Sequence, residues 1–422
     1  MMTSKKNLLL IGYNFYPEPT GIGKYNGEMI AWLAKQGYNC TVITTYPYYP
    51  YWKVQEPYIK NRFSFTTEVV AYPAGGKATI CRCPIYVPSR PSGIKRVILD
   101  LSFLFTALIK VIHLLGKHKF EYVITIAPAF KLGLLGILCK ILQKSTFIYH
   151  IQDMQIEAAR DLHMIKSTFL FKLLLKIEKF IFNKANFITT ISEAMAIKIY
   201  EKSEKKVHLF PNWVDTSLFF PIQDKCKLKS LFGFRNAERI VLYSGAIGEK
   251  QGLENILSVA KRFGECDMNV KFIICGSGPY KEHLIELSQE LKLTNLLFLP
   301  VQPLEKFNSF LNLADVHLVI QKCSTCDLVM PSKLTTILAI GGLALVTANN
   351  DSGLSSMIKK HNIALVVEPE NQVALYKGLT EALNELNDEI KINARSYADR
   401  YLEIDRIMKS FQVLALQPIP CV

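Results

Sequence analysis

The sequence predicts an α/β protein made of two parallel-sheet domains of about equal size. Three observations carry that prediction. Short apolar runs alternate with helical patterns along most of the 422 residues, which is how βαβ units read. Several of those runs pass straight into a glycine-bearing turn and then a helix. A polar, lysine-rich stretch around 221–238 divides the series into two halves.

In the first half the expected strands are 7–15, 39–45, 122–127, 145–151, 186–191 and 206–211, in runs such as "NLLLIGYNF" and "YVITIA". Gly37 is placed to stop the helix after the first glycine turn. Ser192 is placed to cap "EAMAIKIYEK". A segment of β pattern, 62–88, interrupts the series. In the second half the expected strands are 239–245, 270–276, 295–300, 316–321, 343–349 and 363–369, and the tail is helical in pattern. No repeat with a period of a few tens of residues is visible, so the likeness of the halves is architectural.

The turns carry the chemistry. Gly21, Gly23 and Gly27 in "PEPTGIGKYNG" give G-x-G-x-x-x-G, one residue off the dinucleotide fingerprint. A dinucleotide fold also wants an acid at the end of its second strand, and "VITTYPYYPYW" offers none before Glu56. No G-x-x-x-x-G-K-[ST] occurs. What remains is either a turn whose N–H groups suit a phosphate or the edge of a sugar nucleotide, or a tight turn that needs positive φ. The second half repeats the theme three times. Gly245, Gly248 and Lys250 follow one strand, and Gly276 and Gly278 follow the next, with Pro279 at a first helical position. Ser332 is expected as an N-cap with Lys333 in the first helical turn. Gathered at one sheet edge, these amides and two lysines would suit a diphosphate.

Half the residues are hydrophobic and a fifth are charged, an ordinary globular balance. Ten scattered cysteines, several inside apolar strands, read as buried thiols in a reducing compartment; the single CxxC, Cys323 to Cys326, lacks a partner pair for zinc. The opening residues lack the pattern of a signal peptide. The most apolar segment, 97–115, carries Asp100, Lys110 and His113, so no membrane-spanning helix is expected. The net charge of +14 clusters with apolar residues in 94–119 and 164–184. Those basic amphipathic patterns suit a membrane surface or a core helix with a solvated lysine face. No nucleic-acid motif is present, and no D-x-D occurs to hold a bridging metal.

His150 and Asp153 stand where the fourth strand ends, an active-site position in an open sheet. Asp153 is expected to orient hydroxyl groups with His150 assisting; the alternative is a packed ring and a helix cap. The run "TYPYYPYW" (45–52) holds five aromatic side chains, suited to sugar stacking, to a membrane boundary, or to a buried cluster.

The order of "PTGIGKY", "HIQDMQIEAA", "ITTISEAM", "LFPNWVD", "LYSGAIGEKQGL", "IICGSGP" and "MPSKL…LAIGG" resembles the family-4 retaining glycosyltransferases of the GT-B fold, and within them the exopolysaccharide (colanic acid) subgroup. The resemblance runs over nearly the whole chain. It implies two Rossmann-like domains facing an interdomain cleft: an acceptor domain over 1–212, a nucleotide-sugar domain over 213–395, and a helix over 396–422 that crosses back to the first. It implies a metal-independent transfer of a sugar from a nucleotide-diphosphate donor to a lipid-linked glycan. A polyprenyl-diphosphate-linked oligosaccharide at the inner face of the cytoplasmic membrane is the expected acceptor. Gly21 and Gly23 would approach the donor phosphate, Lys250 would neutralise it, Gly276 and Gly278 would shape the nucleotide pocket, and Asn212 and Asp215 would lie near the cleft. Three positions depart from the family pattern. Ala246 stands where an arginine is usual, and Leu328 and Thr336 stand where paired glutamates are usual. Lys333 is expected to supply part of the missing charge. A sugar-nucleotide epimerase or a non-catalytic sugar-nucleotide binder of the same fold are the other readings.

Overall fold

A computed structural model describes residues 6–18, 21–49, 51–73, 75–89, 93–154, 156, 167–266, 268–323 and 331–416. The chain divides into two compact units, Met1–Phe210 with Met408–Val422, and Pro211–Ile407.

The first unit runs β1 (Asn7–Ile11), α1 (Gly21–Lys35), β2 (Asn39–Thr45), β3 (Thr66–Ala71), β4 (Lys77–Cys83), α2 (Gly93–Leu115), β5 (Tyr122–Ala127), α3 (Gly133–Gln143), β6 (Thr146–Ile151), α4 (Thr168–Lys184), β7 (Phe187–Thr190), α5 (Glu193–Ser203) and β8 (Val207–Leu209). The sheet order is β3-β4-β2-β1-β5-β6-β7-β8. Its pairs are parallel except β3 with β4, so the segment of β pattern at 62–88 is an antiparallel edge hairpin. β1 and β5 are buried on both faces, which is why they read as unbroken apolar runs. The strand expected over 7–15 stops at Ile11, where the chain turns away from the ladder. Helix starts and stops follow local chemistry: Gly37, at φ 89°, lies just past α1, and the Ser192 hydroxyl accepts from Met195 N to cap α5.

By length and apolarity Lys95–Leu115 could cross a membrane, one such helix among the described residues. In the fold it is a side helix of this unit. Phe103, Ala107 and Val111 are buried in its core, and Asp100 accepts from the Tyr13 hydroxyl at 3.0 Å. Leu101, Phe105, Ile109 and Ile112 point outward and are exposed.

The second unit runs α6 (Lys225–Leu231), β9 (Arg239–Ser244), α7 (Glu254–Glu265), β10 (Val270–Cys275), α8 (Lys281–Glu290), β11 (Leu296–Leu299), α9 (Leu304–Asn312), β12 (Val316–Val319), α10 (Ser332–Ala339), β13 (Ala344–Thr347), α11 (Gly353–His361), β14 (Leu365–Val367), α12 (Gln372–Asn384) and α13 (Asp388–Tyr397), and passes into α14 (Ile404–Ala415). Its all-parallel order, β11-β10-β9-β12-β13-β14, is the doubly wound 3-2-1-4-5-6 arrangement. Two apolar clusters pack its two faces, one around Leu242 and Leu338 and the other around Tyr243 and Phe272.

The boundary expected at 396 falls instead at Met408. Val214 N bonds to Leu402 O and Ile404 N to Val214 O, which keeps the chain up to 407 in the second unit. Beyond it, Phe411 stacks on Phe210 at 4.2 Å, and Leu416 O accepts from Lys6 Nζ and the Tyr122 hydroxyl.

Candidate active site

Both sheets reverse their strand order next to their first strand, between β1 and β5 and between β9 and β12. Open α/β sheets bind ligands at the carboxyl ends of strands at that point. The glycine turns of the sequence sit there.

In the second unit the turns after β9 and β10 are packed backbone to backbone. Gly245 N donates to Cys275 O and Ile247 N to Ser277 O, both at 2.9 Å. A Cβ on Gly276 would strike the Gly245 carbonyl oxygen, and one on Gly278 the Ile247 carbonyl oxygen. These glycines are therefore required first by the close approach of two turns. Pro279 precedes α8 by two residues, so the helix opens just past the second turn.

Lys333 closes this arrangement from α10. Its Nζ lies 3.8 Å from the ring centroid of Tyr243, whose hydroxyl donates to Ala246 O at 2.6 Å. A Cβ at Gly245 would come within 2.9 Å of that ammonium. The ammonium end is desolvated, and burial pulls it down from the usual lysine range to about 7. No carboxylate among the described residues pairs with it. Gly245, Gly276, Gly278 and Lys333 thus form one group. The structure places residue 250 in a turn of 3-10 helix, Glu249–Gln251, directly after Gly248, while the side chain of Lys250 lies outside what it describes.

Ser332 is not the N-cap of α10. That position is Pro331, and exposed Ser332 is the first helical residue, because the extended Pro331 precedes it. Thr336 is buried in α10, and Leu328 lies outside the described residues. Two side chains that sequence reasoning missed stand nearby in the chain. Gln251 Oε1 and Gln321 Nε2 are buried with no hydrogen-bond partner. Gln321 follows β12 and its N–H donates to Thr347 Oγ1 at 2.8 Å. Amide side chains carry no sequence signal of burial, so nothing in the spacing marks them.

In the first unit, Gly21 opens α1 at φ 60° with free space where a Cβ would stand. Gly23 is crowded by the Glu18 side chain. Glu18 is also unforeseen. It is 3% exposed, yet its Oε1 accepts from Tyr48 N and Tyr49 N at 3.0 Å and its Oε2 from Asn14 Nδ2 at 2.7 Å. Desolvation outweighs those bonds and raises its carboxyl to about 6. The signal available in the sequence was a lone acid inside the glycine turn. The aromatic run divides: Tyr46 and Tyr48 are buried, whereas Tyr49 and Tyr51 are exposed.

His150 lies on β6 with its ring 2% exposed. Its Nδ1 is 2.9 Å from Thr189 Oγ1, and the ring packs edge-on against Phe210 at 5.1 Å. Burial pushes it down to about 3, so it is neutral at pH 7. That enclosure offers no direct contact with a sugar, contrary to the assisting role expected of it. Asp153 is exposed two residues past the strand. It shares the carboxyl edge of one sheet with Gly21, since β1, β5 and β6 are neighbours. In the second unit, Asp215 Oδ1 accepts from Ser217 N, Ser217 Oγ and Leu218 N, which makes it a local turn cap. Among the described residues no cluster of His, Cys, Asp and Glu could hold a metal.

The comparisons with known proteins agree with this layout. Residues 225–397 match the model of "Glycosyl transferases group 1" and residues 20–213 that of "Glycosyl transferase 4-like domain". The chain is 36% identical over 413 residues, 96% of it and 98% of the relative, to the Escherichia coli K12 protein WcaI, whose name assigns it to glycosyl transfer in colanic acid biosynthesis. Sucrose-phosphate synthase from Thermosynechococcus elongatus superposes with a TM-score of 0.75 at 15% identity, covering 97% of this chain and 98% of that one. The Anabaena protein HepE, solved with UDP and glucose, superposes with a TM-score of 0.67 at 13% identity over 98% and 100%. These structural likenesses share the fold of two Rossmann-like domains.

Proposed function

The chain belongs to the family-4 glycosyltransferases of the GT-B fold, and from that premise we propose that it transfers a sugar from a nucleotide-diphosphate sugar to a lipid-linked glycan in exopolysaccharide biosynthesis, with retention and without a metal. The observation that carries the donor half is Lys333: a desolvated ammonium over the Tyr243 ring and beside Gly245, with no carboxylate paired to it among the described residues. Such a charge is costly alone and is relieved by an anion. As the glycosyl bond breaks, negative charge grows on the leaving diphosphate. Lys333, Lys250, Ser332 and the amides of the turns at Gly245, Gly276 and Gly278 would stabilise it with pre-set charges and dipoles. Gly21 and Gly23 would bring further N–H groups to the phosphate. Asp153 would orient sugar or acceptor hydroxyls, with His150 acting from beneath by holding the end of β6 against β7. Family membership supports retention, and the absence of a D-x-D supports metal independence. The relative's name supports polysaccharide biosynthesis.

For the acceptor half, the outward apolar stripe of α2 is flanked by Lys95, Arg96, Lys117 and Lys119. An apolar face rimmed by cations suits the anionic inner face of a cytoplasmic membrane, where a polyprenyl-diphosphate acceptor would reside. Flotation with vesicles of phosphatidylglycerol checks this, and indifference to lipid charge counts against it.

The deciding experiment is a thermal-shift screen against UDP-, GDP- and dTDP-sugars with and without chelator. Saturation at about a hundred times Kd is worth about 2.7 kcal/mol, a shift of several degrees. One nucleotide class should stabilise the protein with chelator present. No stabilisation, or stabilisation only with magnesium, sinks the reading. Turnover of donor without acceptor would favour an epimerase instead.

A further inference from the structure

Glu18 is the most deeply buried acid among the described residues, and the mechanism above leaves it unused. Its carboxylate spans two segments far apart in sequence. On one side it fills the space that Gly23 leaves, where a Cβ would lie 2.7 Å from Glu18 Cβ. On the other its Oε1 gathers two successive N–H groups, Tyr48 and Tyr49, of the aromatic run. Tyr48 is locked inward against Trp52 at 5.8 Å, and Tyr49 is turned out to solvent. The chain just before Glu18 is fixed as well, because Arg82, buried and paired with Glu68 at 2.6 Å, donates to Tyr16 O at 3.0 Å.

A neutral glutamine could accept the same two N–H bonds and meet Asn14 through a turned amide. The fold on its own therefore asks for an acceptor here and not for a charge. Charged acceptors bind N–H groups more tightly and in stricter geometry. Groups that cost stability yet occupy such positions are characteristic of functional sites.

We infer that Glu18 is a positioning residue: its carboxyl group clamps the glycine turn to the 46–52 loop and so sets the exposed Tyr49 and Tyr51 rings that receive the acceptor. This deepens the reading of the first unit as the acceptor side and rests on it. The charged groups around the clamp are Arg82, Arg96 over the Trp52 ring, and Asp100, bonded to Tyr13. Glu18 titrates at about 6. The closed clamp holds the proton more readily than a solvated side chain does, so it tightens as pH falls through that value.

Two measurements on the full chain test this. Hydrogen exchange of the peptide covering 46–52, corrected for intrinsic rate, should gain about tenfold protection on going from pH 7.5 to pH 5 in the wild type. Glu18→Gln should abolish that pH dependence while the protein stays folded. Transfer to octyl glycosides, with the donor found by the thermal screen, should then show a raised acceptor KM in Glu18→Gln and a nearly unchanged donor KM. Protection that ignores both pH and Glu18→Gln overturns the clamp. Equal changes in both KM values reduce Glu18 to a structural part. Failure of the wild type to transfer at all would instead overturn the function, and the exchange measurement would still decide the clamp.

Discussion

The turn after β1 and the turns after β9 and β10 lie beside the point where each sheet reverses its strand order, yet they are finished with opposite charges. The first is closed by a buried carboxylate that is fully hydrogen-bonded to its own loop. The second is closed by a half-buried lysine whose ammonium rests on an aromatic face, with no carboxylate paired to it among the described residues. A satisfied acid makes a rigid platform, and an unsatisfied cation makes a receptor for an anion. The fold supplies the position in both units, and under the proposed function the charge separates donor chemistry from support.

Removing the cation should have the largest effect. Lys333→Ala is expected to lower kcat/KM for the donor by about 100-fold to 1,000-fold, while Lys333→Arg, which keeps charge but not shape, retains part of the activity. Wild-type kinetics in Lys333→Ala would erase the contrast between the turns. Next comes backbone packing. Gly278→Ala forces a methyl into the Ile247 carbonyl and should cost about 3 kcal/mol of stability. Gly21→Ala meets open space and only the strain of φ 60°, about 1 kcal/mol. Denaturant melts of the two variants measure that difference directly, and equal losses would deny it.

The contrast also predicts opposite pH behaviour. Lys333 has its folded pKa depressed, so the unfolded chain holds the extra proton between about 7 and the usual lysine value. Its unfavourable contribution is complete below about 7, and stability rises as pH climbs above it. Nucleotide binding should weaken over the same interval as the ammonium is lost. Glu18 has its folded pKa raised from 4.5 to about 6. The folded chain holds the extra proton there, and stability from this group falls as pH rises through that window. Urea melts of Lys333→Met and Glu18→Gln against the wild type across pH should remove one slope each. Asp153→Ala should have the smallest effect, lowering turnover by about tenfold with little change in donor binding; an equal loss in nucleotide-induced thermal shift would move Asp153 to the donor side.

Much of the fold was legible from local pattern. Strands such as 39–45 and 122–127 match their apolar runs to the residue, and Gly37 and Ser192 end and begin helices as their chemistry dictates. The glycine turns were legible because close backbone approach leaves no room for a side chain. Ser332 was misread because N-cap preference is weak against an extended proline just before it. His150 lies at the strand end read from the sequence but deeper than expected, since alternation along a buried strand does not say which face meets solvent.

The sequence by itself determined two wound sheets, their order of turns and the lysines near them, because periodicity and glycine act over a few residues. Only the tertiary structure decided which charges are stripped of water. It joined Glu18 to the amides of Tyr48 and Tyr49 and laid Lys333 against Tyr243. Desolvation depends on neighbours distant in the chain, and no local pattern records it.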